Sequence, residues 1–162
     1  MDILIDIIGW IHFLFSAFCM ALGLQILSTR KGTSIHSTRG RVYIFSMIVV
    51  NVTALFIYRL DMFFFPHWLA IVTLIVTLAG YWLAAKKPIK RWKGGHITCM
   101  VLSYYMLVGG AINEAFLRIE YFKNMVESSG QQILGIWHSA AMLFFIVLLI
   151  VFLTRHRSRV SG

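Results

Sequence analysis

The chain has 162 residues, 59% of them hydrophobic and 13% charged, with a mean hydropathy of +0.80 and 15 Lys+Arg against 6 Asp+Glu. A soluble globular domain averages about 45–50% apolar and about 25% charged residues, so this composition excludes one, and it equally excludes a disordered or collagen-like chain. The net charge of +9 leaves a nucleic-acid partner in view only until the positions of the charges are read.

A helix needs roughly 20 mainly apolar residues to cross the hydrocarbon of a bilayer. The sequence predicts five such spans, at 3–28, 41–64, 67–86, 95–118 and 132–154, joined by short polar stretches into one all-α membrane domain over 1–162. The first span opens on Asp2 where a cleaved signal would be basic, and its apolar run exceeds a signal's, so it is expected to stay as a helix. Its small and polar residues form a stripe at three-four spacing: Asp2, Asp6, Gly9, His12, Ser16, Cys19 and Gly23. Span two carries Gly40, Tyr43, Met47, Asn51, Ala54, Tyr58 and Asp61, and His36 joins them if the helix starts early. Span three has Ala70, Thr73, Thr77, Gly80 and Ala84, a close-packing seam without an ionisable group, which is where a homodimer contact is expected. Span four carries His96, Cys99, Ser103, Met106, Gly110 and Asn113, with Glu114 one step round the helix. Span five is polar near one end only, at Gln131, Gly135 and His138. These stripes predict a four-helix core of spans one, two, four and five, with span three peripheral.

Of the 15 basic residues, all but Arg59, Arg118 and Lys123 fall in the loops of one side or in the C-terminal tail. The positive-inside rule then sets the N-terminus outside and the C-terminus in the cytoplasm. The charge is thereby a topology signal with an attraction to anionic lipid, and nucleic acid is set aside. Cys19 and Cys99 lie inside apolar spans and are expected to be small packing residues.

An ionisable residue inside the membrane is a functional candidate. At about 1.5 Å per residue, His12 and His138 stand at comparable depth, roughly 13 and 9 Å below the outer surface. His36 and His96 both stand at the cytoplasmic ends of their spans, while His67 at the outer rim and His156 in the tail are expected to be solvated. Two axial imidazoles from facing helices suit a haem b iron, so one reading pairs His12 with His138 around an outer haem and His36 with His96 around an inner one. Gly9, Gly110 and Gly135 leave room for a porphyrin edge, Trp10, Trp137, Tyr104 and Tyr105 can line its faces, and Arg39, Arg41, Arg59 or Arg118 can meet propionates. A second reading binds Zn, Cu or Fe ions at the outer face through His12, His138, His67, Asp6, Asp61 and Glu114, in a hydrolase, reductase or transport role. A third takes Asp6, His12, Asn51, Asn113, Glu114 and His138 as a proton or substrate path. The bland alternative stays open beside them. Small residues at Gly9, Ser16, Gly23, Ser103 and Gly110 can serve helix packing alone, and a buried imidazole bonded to a neighbouring helix needs no cofactor, as in an assembly subunit.

The loop after span one reads Ser34-Ile35-His36-Ser37-Thr38-Arg39-Gly40-Arg41. With His12 it resembles a bacterial family of predicted multi-spanning membrane proteins of unknown function marked by a His-x3-Gly-Arg loop, which implies the bacterial inner membrane as its place. The likeness covers roughly the first 60 residues, and His96 and His138 more loosely. The family usually has Arg directly after the loop His; Ser37 stands there, which removes an anion contact from that position. More distantly, the paired histidines resemble the membrane di-haem cytochromes b, and that likeness implies haem, with a quinone or a one-electron protein as redox partner. No C-x-x-C-H, H-E-x-x-H, G-x-S-x-G, Walker A, G-x-G-x-x-G or lipidation motif occurs, so covalent haem, nucleophile-elbow acyl transfer and nucleotide use have no support.

Overall fold

The computed structural model describes residues 2–57, 65–129 and 131–160, and all regular structure among them is helical. Six helices follow one another: α1 (Asp2–Ser28), α2 (Ser34–Ala54), α3 (Phe65–Lys86), α4 (Trp92–Arg118), α5 (Glu120–Ser129) and α6 (Gln131–Val160). Among the described residues three stretches are long and apolar enough to cross a membrane, Ile3–Ser28, Pro66–Lys86 and Trp92–Glu114, and a shorter apolar stretch runs over Gly135–Leu148. The last part of the expected second span, with Arg59 and Asp61, lies outside the described residues.

Local chemistry sets the boundaries. Gly32 takes a φ of +79°, a turn conformation that a Cβ would strain, and Thr33 follows in extended backbone. The Thr33 hydroxyl then accepts the His36 N–H at 3.1 Å. This N-cap starts α2 seven residues before the expected span and brings His36 onto the helix. At the end of α3, Lys87 adopts φ 49° and its N–H closes on Leu83 O at 3.0 Å; Pro88 then prevents continuation. The ten residues of α5 are an element that hydropathy did not announce.

Close contacts divide the chain into two compact units, Met1–Gly110 and Ala111–Gly162. In the first, α1 packs on α2 and α2 on α3. Cys19, Met47, Ser46 and Ser103 are fully buried at its centre, with Tyr43 and Tyr104 beside them. Both cysteines are free, and Cys19 serves as the expected small packing residue. Glycine makes the close approach possible at two places. A Cβ on Gly23 would stand 2.5 Å from Tyr104 Cδ2, and one on Gly80 would stand 2.9 Å from both Cys99 Cβ and Met100 Sδ.

Span three is therefore not peripheral to this unit. Thr73 and Thr77 of α3 are 2% and 0% exposed, and Gly80 seats α4 directly on the seam. The seam is spent inside the chain, which removes it as a dimer contact. Small residues let backbones approach, and in lipid that packing holds helices together as firmly as any ionisable stripe. In the second unit α5 packs on α6, and α6 buries Met142 while exposing Ile136, Trp137, Leu143, Phe144 and Val147.

The glycines of the α1 stripe thus differ. Gly23→Ala should destabilise the protein by about 1–3 kcal/mol through overpacking against Tyr104. Gly9→Ala, which meets nothing within 4 Å, should be neutral or stabilising by up to ~1 kcal/mol. Reversible unfolding of both variants in detergent checks the difference.

Candidate functional site

Polar groups in the first unit find partners across helices. Tyr43 Oη lies 3.3 Å from Ser103 Oγ, joining α2 to α4, and the Tyr104 hydroxyl donates to Met20 O at 3.2 Å, joining α4 to α1. The Asn51 amide turns back on its own helix, donating to Met47 O at 2.7 Å.

Two histidines share one arrangement. His12 Nδ1 on α1 stands 3.0 Å from Val50 O and 3.1 Å from Thr53 Oγ1, both on α2. His96 Nδ1 on α4 stands 2.8 Å from Gly80 O on α3. A carbonyl oxygen only accepts, so in each ring Nδ1 carries the proton and donates it. Thr53 is consistent with this, because its own hydroxyl proton goes to Val49 O at 2.7 Å and leaves the oxygen to accept. In the neutral ring Nε2 then keeps its lone pair, the form in which histidine binds metals.

His36 sits in the first turn of α2, ahead of the apolar run that begins at Val42. Its Nδ1 is buried and has no hydrogen-bond partner among the described residues. Burial lowers its pKa below the ordinary histidine value, and the charges of Lys31 and His96 lower it further. His36 and His96 both lie in the first unit. Lys31 itself seals the end of α1, its Nζ donating to Ile26 O and Leu27 O.

The other expected residues belong to several elements. His138 lies half-buried on α6 in the second unit, and Glu114 is half-buried near the end of α4. Asp6 is exposed on the first turns of α1, and Asp61 lies outside the described residues. His67 is 1% exposed, which overturns its expected solvation: it follows Pro66 in the first turn of α3 but faces the packed side of that helix. Among the described residues no three His, Cys, Asp or Glu side chains come together as a metal site. Of the expected porphyrin-edge glycines, Gly9, Gly110 and Gly135 all have open space where a Cβ would stand. Reading the sequence missed Thr53 and Gly80 as partners of the imidazoles. Thr53 announces itself only as a polar residue near the end of α2, and Gly80 acts through a carbonyl that no side chain marks.

The His12 bond is testable without any cofactor. A double-mutant cycle of His12→Leu with Thr53→Val should return a coupling of about 0.6 kcal/mol, the usual size for a hydrogen bond between membrane helices, and at most ~1.7 kcal/mol. Unfolding in detergent measures it, and strict additivity would mean that the two side chains do not interact.

No protein of curated function matches the chain, and no solved structure does. The family model described as a predicted membrane protein, DUF2306, matches residues 9–154, a stretch that holds His12, His36, His67, His96 and His138. It is consistent with the uncharacterised membrane family expected from the His36 loop, and carries nothing toward the cytochrome b likeness. With nearly its whole length covered, the chain belongs to this DUF2306 family of predicted membrane proteins, whose function is unknown.

Proposed function

We propose that this protein is a b-type haem protein of the membrane that carries single electrons, with His36 and His96 as the axial pair of its best-supported centre. The observation that carries the reading is the relation between these two rings. His96 has its Nδ1–H bonded to Gly80 O, and its neighbour His36 has a buried ring nitrogen without a partner. Buried polar atoms are normally satisfied, and an unfilled ligand site is one recognised reason for an exception. The donor set favours haem over a bare ion. Haem iron asks the protein for two ligands, because the porphyrin supplies the rest, whereas an ion held by protein alone takes three or four.

When bound, haem supplies an iron couple that accepts and releases one electron at a time. The chain's part is to hold and tune it. The Gly80 carbonyl fixes the tautomer and the plane of His96 and raises the basicity of its Nε2. His12 has the same carbonyl support on α1. A quinone or a one-electron protein is the class of redox partner such a protein would serve, in a bacterial inner membrane with the basic loops on the cytoplasmic side.

One observation favours a second reading. The His12 and His96 bonds also tie helix to helix, so the histidines can act as structural pins in a cofactor-free assembly subunit. A reduced-minus-oxidised spectrum of the purified protein, expressed with adequate haem supply, separates the two. The haem reading expects a Soret peak and a sharp alpha band that His36→Ala and His96→Ala each abolish while the protein still accumulates. A colourless protein that His96→Ala merely destabilises would overturn it, and metal analysis of the same sample would expose an ion site.

A further inference from the structure

At the basic-loop end of the first unit, α1 and α2 enclose an open groove of about 510 Å³ lined by Leu24, Gln25, Ser28, Thr29 and Arg39. Its floor is a cation without a counter-charge. The Arg39 guanidinium is half-buried and donates through Nη1 to Thr29 Oγ1 at 3.2 Å, and among the described residues no carboxylate pairs with it. That one bond leaves the rest of its planar fork of N–H donors to the groove, and the fork matches the oxygens of a phosphate.

The hydroxyls of the walls donate to α1, so the cation is the anion-binding element of the groove. The Thr29 hydroxyl gives its proton to Gln25 O at 2.6 Å and that of Ser28 goes to Leu24 O at 3.0 Å, so each is held in place by α1. The carbonyl end of α1, which would repel an anion, is covered by Lys31 through Ile26 O and Leu27 O. Arg30, Lys31 and Arg41 stand exposed around the groove.

The remaining wall identifies the source of the phosphate. Leu24 is 49% exposed, and the same face of α1 continues through Met20 and Ala17 to Phe13, which is 48% exposed. A polar, cationic groove therefore opens onto an apolar stripe about three turns long, which is the shape of a head group above an acyl chain. We propose that this groove is a binding site for one anionic phospholipid, its phosphate on Arg39 and an acyl chain along the Leu24 to Phe13 face. Arg39 lies one turn after His36 on α2, but the site does not rest on the haem reading.

Native mass spectrometry of the full chain, extracted from vesicles of phosphatidylcholine mixed with phosphatidylglycerol, tests it. The wild type should retain one phosphatidylglycerol in preference to phosphatidylcholine. Arg39→Gln should weaken that retention about tenfold or more, the loss of one charge-assisted hydrogen bond. Gln25→Glu, at an exposed position on the groove wall, should do the same by supplying Arg39 with a carboxylate. Arg41→Gln should keep the lipid, because Arg41 belongs to the same charged loop but does not line the groove. Equal loss in Arg41→Gln, or full retention in both Arg39→Gln and Gln25→Glu, would reduce the effect to general loop charge and overturn the site. Displacement of the lipid by inorganic phosphate alone would overturn the lipid assignment in favour of a free anion. Loss of haem absorbance in Arg39→Gln with the lipid retained would show that the guanidinium serves a propionate instead.

Discussion

The hydrogen bond from an imidazole Nδ1–H to a backbone carbonyl of another helix is the interaction on which the first unit depends. In hydrocarbon no water can satisfy a buried N–H, and a helix carbonyl already engaged in its own ladder has a second lone pair to offer. His12 uses Val50 O in this way and His96 uses Gly80 O. Each bond joins two helices, fixes a ring and selects a tautomer in a single contact. The same contact that holds the fold therefore sets the chemistry of the nitrogen on the far side of the ring.

Such bonds form only where the backbones come close, and glycine decides where they do. At Gly80 the absence of a side chain lets Cys99 and Met100 sit on the α3 backbone, and this exposes the Gly80 carbonyl to His96 one turn before Met100 on α4. At Gly23 the missing Cβ admits the Tyr104 ring, whose hydroxyl then reaches Met20 O. Packing and polar satisfaction are one event at both sites. Glycine replaced by alanine in either place would move an aromatic or sulfur-bearing side chain and strain the hydrogen bond beside it.

Much of this was legible in the sequence, and the failures share a cause. Long apolar runs gave α1, α3 and α4 within a few residues, and Cys19 and Ser103 were readable as interior because small or polar residues recur there at helical spacing, whereas Thr77 and Gly80 read only as a packing seam without showing that its partner is in the same chain. The stripe on α1 could not say which of its glycines has a neighbour: Gly9 and Gly23 lie on one face, yet only Gly23 is packed. Depth also misled at His67, since a residue just after proline at a helix start reads as a rim position whereas the packed side of α3 buries it. The start of α2 hung on one hydroxyl, Thr33, a local signal that a hydropathy window averages away. The short α5 escaped for the opposite reason, being too brief and too polar to register as a span.

The helix α4 brings these strands together. Through His96 it bonds to α3, through Ser103 to α2 and through Tyr104 to α1, so its rotation and height are fixed from three directions within the first unit. A ligand nitrogen is useful only if its position survives thermal motion to within about half an ångström, and that precision comes from rigid elements and supporting bonds rather than from the ligand itself. His96 has this support and His36, in the first turn after a flexible-glycine turn, has less. The same three bonds that pack α4 against its neighbours therefore also fix the His96 ring, so helix packing and the placing of that imidazole cannot be altered independently.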